Sequence, residues 1–108
     1  MNQTLLTQEQ AREMLSGIQE QMPVFDKYGT EVGTVKDIQY ASFDSDILSK
    51  TLEFFRLPFE AQAHLIKRGY IQIDCGVLEH DRFATPDQII RFRGGLRLNV
   101  AREELITD

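Results

Sequence analysis

The sequence predicts a mainly β fold: a small, strongly curved barrel of about six strands, with an N-terminal helix and a second short helix near residues 58–68. Three stretches carry that prediction. Residues Met22 to Ile38, MPVFDKYGTEVGTVKDI, hold two apolar segments joined by turn residues, and the second segment keeps a glycine, Gly33, inside it. Residues 70–74, YIQID, alternate apolar and polar side chains as a half-buried strand does. Residues 89–100, IIRFRGGLRLNV, place two strand-like segments on either side of Gly94-Gly95, the pattern of a hairpin.

A chain of 108 residues is the length of one domain and can bury a core without disulfide or metal staples. Apolar residues make up 42% and charged residues 27%, a globular rather than a disordered balance. The formal net charge of −5 opposes broad nucleic-acid binding, which draws its affinity from Lys and Arg neutralising phosphates. The single cysteine, Cys75, permits no internal disulfide and fits a reducing compartment. The stretch MNQTLLTQEQ lacks the basic and apolar regions of a secretory signal, and no apolar run approaches the ~18 residues of a membrane span. The expected location is the cytoplasm, without a membrane partner.

Residues 7–16, TQEQAREMLS, predict a helix capped by Thr7, with Gln10 completing a capping box. Ala11, Met14, Leu15 and Ile18 share one face, and Gly17 is a natural stop. About three turns of helix are marginal alone in water, so the stripe must dock on the domain or on a partner. Residues 1–20 read as a helical extension and 21–108 as the domain proper. Val24 and Phe25 form a short strand after Pro23, Asp26 to Gly29 supply the turn, and Val32 to Ile38 form the next strand. Strict alternation cannot put both Val32 and Val35 in one core. A bulge at Gly33 can, and it also curls the strand as a small barrel requires. Residues 41–50 read as a polar loop with isolated Phe43, Ile47 and Leu48. TLEFFRL is ambiguous between strand and helix and leans to strand or irregular structure. PFEAQAHLIKRG reads as a helix, with Pro58 and Glu60 at its start and Lys67, Arg68 and Gly69 at its end. VLEHD is a loop, RFAT a short strand, and Thr85 caps a single turn that begins at Pro86. For the last hairpin, a three-residue loop, Arg93 to Gly95, pairs Phe92 with Leu96 and Ile90 with Leu98, keeping the apolar residues together. AREELI closes the chain as a turn or short helix.

These segments together resemble PRC-barrel-like domains, the small β-barrels named after the H subunit of the photosynthetic reaction centre. The resemblance covers residues 22–106 and is nearest to bacterial stand-alone domains of unknown function within that group. Gly29, Val32, Gly33, Val35, Asp37 and Ile38 match the opening pattern. Gly69, Tyr70, Ile71, Ile73 and Asp74 match a central strand, and Asp81, Arg82, Phe83, Pro86, Asp87, Gln88 and Ile89 match the segment after it. Leu96, Leu98 and Val100 match the closing strand. Gln21 stands where the pattern often has glycine, and Tyr28 stands where a short polar turn residue is common. The resemblance implies a non-enzymatic adaptor or assembly barrel and transfers no catalytic residues.

The side chains themselves point the same way. Cys75, His80, Asp74, Glu79 and Asp81 lie close in sequence, but one cysteine and one histidine five apart lack zinc spacing, so they read as a solvated acidic loop. Neither His64 nor His80 makes a nucleophilic pair with Cys75 recognisable, and Asp44 and Asp46 read as solvated loop acids. No glycine lies in the strand-to-helix setting that cradles phosphate. No cofactor, metal or catalytic residue is expected. Five arginines and one acid stand between Arg82 and Arg102, and alternation places Arg91 and Arg93 on the outer face of the hairpin with Arg97 across from them. That face reads as a solubilising strand face or as a docking surface for an acidic protein, with RNA as the alternative partner. Residues 1–50 carry four basic and eight acidic residues, so an acidic half and an arginine-rich face could also pair two copies. Phe54, Phe55, Leu57 and Phe59 either fill the barrel end or, with Met14 and Leu15, make a dimer surface. The expected function is a cytoplasmic protein-interaction or assembly module, a homodimer or bound to another cytoplasmic protein. An RNA- or ribosome-associated barrel using Arg91, Arg93 and Arg97 is the alternative.

Overall fold

The computed structural model describes residues 7–41 and 50–108. The expected loop with Phe43, Ile47, Leu48, Asp44 and Asp46 lies outside the described residues, apart from Ala41 and Lys50. The elements run in the order α1 (Gln8–Leu15), β1 (Pro23–Phe25), β2 (Glu31–Gln39), α2 (Leu52–Phe55), α3 (Phe59–Arg68), β3 (Tyr70–Asp74), β4 (Arg82–Ala84), β5 (Ile89–Phe92), β6 (Gly95–Leu98) and β7 (Ile106–Thr107). Single 3-10 turns at Pro86–Gln88 and Arg102–Glu104 precede β5 and β7. The mainly β prediction holds. The strands form one mixed sheet of seven in the order β5-β6-β1-β2-β3-β4-β7, with β1 and β6 parallel and the other neighbours antiparallel.

The helix at 7–16 forms as its residues dictate. The Thr7 hydroxyl accepts from Gln10 N–H at 3.1 Å, and the Gln10 side chain accepts from Thr7 N–H at 3.0 Å. Its stripe docks on this same chain: Leu15 and Ile18 join the core that holds Val24, Val32, Val35, Ile71, Ile73, Leu96 and Leu98. The described part of the N-terminal segment therefore supplies core side chains.

Strand β2 bends twice. Val24 faces Gly33 while Phe25 faces Glu31, so Val32 is the extra residue of a bulge. Val35 faces Ile73 while Asp37 faces Gln72, so Lys36 is the extra residue of another. Val32 and Val35 are thereby both buried, as expected, but the bulge lies one residue before Gly33. Gly33 answers a different need. Its φ is outside the left-handed region, but a β-carbon there would sit 2.0 Å from the Asp74 carbonyl oxygen on β3. Glycine is required because two backbones meet, not because a bulge needs its dihedrals.

Two sequence expectations are corrected. TLEFFRL holds a helical turn, not a strand: the Thr51 hydroxyl caps α2 by accepting from Phe54 N–H at 3.2 Å. The last hairpin pairs Ile89 with Leu98, Ile90 with Arg97, Arg91 with Leu96 and Phe92 with Gly95, leaving a two-residue loop of Arg93 and Gly94. Gly95 pairs with Phe92 in the strand and must be glycine there, because a β-carbon would lie 2.8 Å from the Pro23 carbonyl oxygen of β1, while Gly94 takes the left-handed φ of +89°. Ile89, not Ile90, faces the core.

Strand β3 has no solvent face over Tyr70, Ile71, Gln72 and Ile73, all at most 1% exposed. Ile71 and Ile73 face the first core. Tyr70 faces a second core of Phe54, Leu57, Leu65 and Phe83, roofed by α2 and α3.

Two substitutions test this geometry. Gly33→Ala should destabilise the protein by about 3 kcal/mol in urea unfolding, since the obstacle is backbone and cannot swing aside. Gln21 takes a left-handed φ of +77°, a conformation that favours glycine. Gln21→Gly should leave the protein as stable or more stable, by up to about 1 kcal/mol. A Gly33→Ala protein with unchanged stability would contradict the close approach of β2 and β3.

Candidate interaction surface

Helical spacing divides the aromatic run. Phe54 and Leu57 turn inward at 1% and 3% exposure, while Leu52, Phe55 and Phe59 turn out at 72%, 42% and 81%. The Gln62 amide donates to the carbonyls of Phe55 at 3.2 Å and Leu57 at 2.9 Å, tying α3 to the end of α2 and fixing the corner between them. Opposite α2 stands the β3–β4 turn. Asp74 Oδ1 accepts from Gly76 N–H at 2.9 Å, Gly76 takes a φ of +105°, and Val77 and Leu78 project at 100% and 94% exposure. A cleft of about 350 Å3 runs between them, lined by Glu53, Arg56 and residues 77–81.

Asp81, in the lining of the cleft, anchors a polar network behind it. Asp81 is buried, and its Oδ2 accepts from Lys36 Nζ at 2.9 Å and Gln72 Nε2 at 2.7 Å. Gln72 Oε1 accepts in turn from the Thr51 hydroxyl at 2.9 Å, and Lys36 lies 3.9 Å from Glu53. The expected solvated acidic loop is thus corrected at Asp81: the sheet needs a buried acceptor for Gln72 and Lys36. The hydrogen bond from Lys36 to Asp81 holds the ammonium above its ordinary pKa. Glu79 is paired with Arg102, and His80 lies 3.8 Å from Asp108.

Other candidate groups separate. Cys75 is half-buried, and burial pushes its thiol up against the weaker opposing pull of Arg82 and Arg102. Among the described residues no group of three His, Cys, Asp or Glu side chains is placed to hold a metal, and no helix is long and apolar enough to cross a membrane. The three hairpin arginines do not share a face. Arg91 lies across from Leu96 and its guanidinium donates to the Ser16 carbonyl at 2.8 Å. Arg97 lies across from Ile90 and donates to the Lys27 carbonyl at 2.9 Å, and Arg93 sits in the turn. Arg91 and Arg97 thus fasten the exit of α1 and the β1–β2 turn. That turn is also held by Asp26. Burial raises its carboxyl pKa, but backbone hydrogen bonds from Thr30, Tyr28 and Arg102 outweigh burial and keep it below the ordinary value.

Of the residues expected to meet a partner, Phe55 lies on this surface. Leu15 and Phe54 are each 1% exposed and belong to the two cores, and Met14 is half-buried against the first. Sequence reasoning missed Leu52, Val77 and Leu78. The signal was present in the apolar Val77-Leu78 pair between Gly76 and Glu79, where a turn ordinarily carries polar residues.

The Tyr70 hydroxyl is buried without a hydrogen-bond partner among the described residues, and burial pushes its pKa up. Tyr70 and Lys36 both hold a proton more tightly folded than unfolded, so stability should fall as pH rises past about 10. Tyr70→Phe and Lys36→Met should each flatten that fall in unfolding measured from pH 8 to 11, and Tyr70→Phe should cost less than about 1 kcal/mol at pH 7. An equally steep alkaline loss in both variants would contradict the assignment. Compared with protein-family models, curated proteins and solved structures, the chain finds no match, so its function is read from this geometry.

Proposed function

We propose that the protein is a non-enzymatic protein-interaction or assembly module of the cytoplasm, built on a PRC-like barrel. The observation that carries the reading is the exposure of Leu52, Phe55, Phe59, Val77 and Leu78 on α2, the start of α3 and the β3–β4 turn. Isolated exposed apolar residues are ordinary, but Val77 and Leu78 line the cleft and Leu52, Phe55 and Phe59 stand out from α2 and the start of α3, a density of large apolar side chains that marks a contact surface. The ionisable groups beside them support a binding rather than a chemical role: Asp81 is committed to Lys36 and Gln72, and Glu79 to Arg102. The barrel reading draws support from the two bulges of β2. It also draws on the meeting of Ile89, from one end of the sheet, with Leu105, beside the strand at the other end, in a single core.

The test is affinity capture of cellular proteins with the wild-type chain and with a Phe55→Asp/Leu78→Asp variant. Leu78 is 94% exposed, while the Phe55 ring is 42% exposed and rests edge-on against Phe54, so the variant should remain folded at a cost of about 1 to 2 kcal/mol. It should lose the proteins that wild type retains. Retention of the same proteins by the folded variant would overturn this surface as the contact site.

A further inference from the structure

We infer that the surface around α2 pairs with a second copy of itself across a two-fold axis. This inference rests on the module reading above and names its partner. The argument is one of charge. The chain carries a formal charge of −5, so two copies repel each other over most of their surfaces. The corner between α2 and α3 is different. Its exposed charges without an ion pair among the described residues are Arg56 and Glu60, one of each sign, flanking Phe55 and Phe59. Beside them Glu79 is paired with Arg102, and Glu53 lies 3.9 Å from the Lys36 ammonium that Asp81 also holds. A patch with an apolar centre and one free charge of each sign complements itself. In a two-fold contact Arg56 faces Glu60 of the partner subunit, and the reciprocal pair forms at the same time. An acidic or basic partner would leave one of the two charges opposed by its own sign.

The test is sedimentation equilibrium of the full chain with Arg56→Glu, Glu60→Arg and an equimolar mixture of the two variants. Wild type should dimerise at high micromolar concentration. Each variant alone sets like charges against each other at both pairs and should dimerise roughly tenfold more weakly or not at all. The mixture should restore the dimer as a heterodimer, because opposite charges then meet at both pairs. A variant that merely misfolded could not be rescued by mixing. Monomeric wild type at high micromolar concentration overturns the self-pairing, and the module reading survives if cellular proteins are still lost with Phe55→Asp/Leu78→Asp. Dimers of undiminished strength in both variants overturn it too, by placing the contact elsewhere.

Discussion

Strand β3 is enclosed by side chains on both faces and by backbone along both edges. Ile71 and Ile73 point into the core completed by α1, while Tyr70 and Gln72 point toward α2 and α3. Strand β2 lies against it only because residue 33 has no side chain to strike the Asp74 carbonyl. Strand β4 closes the other edge and sends Ala84 to one core and Phe83 to the other. The two cores thus share one wall, and the placement of each helix depends on how that wall is decorated.

The decoration explains why α2 sits where it does. A buried glutamine on a sheet face is costly unless its amide is satisfied on both sides. Gln72 meets that demand by donating to Asp81 and accepting from Thr51, which is also the cap of α2. One polar chain therefore sets the start of the helix, and Phe54 stacked at 5.5 Å on Tyr70 sets its rotation. With Phe54 turned in, Leu52 and Phe55 must turn out. The exposed apolar corner is the geometric consequence of satisfying one buried amide.

Much of the framework was legible in the residues. Thr7 and Gln10 announced the first cap, and Pro58 and Gly69 bracketed α3. Val32 and Val35 required an irregular strand. What escaped depended on neighbours distant in sequence. YIQID reads as a strand with a wet face, and only the α2–α3 roof makes Gln72 a buried residue. Ile89-Ile90 offers alternation two choices, and only the approach of Pro23 to Gly95 selects between them. The arginines followed that choice: a shift of the hairpin register moved Arg91 and Arg97 to opposite faces. Leu15 and Phe54 were candidates for a surface because a short amphipathic segment does not say whether its stripe meets its own chain or another.

Native-state hydrogen exchange of β3 tests the shared wall most directly. Amides that open only when the whole molecule unfolds exchange with the global free energy, whereas separable units exchange with less. The amides of Ile71, Gln72 and Ile73 should be among the slowest in the chain and should report the same free energy as urea unfolding. Faster exchange there than in the β5–β6 hairpin, through an opening that leaves the rest folded, would contradict the placement of β3 between two cores.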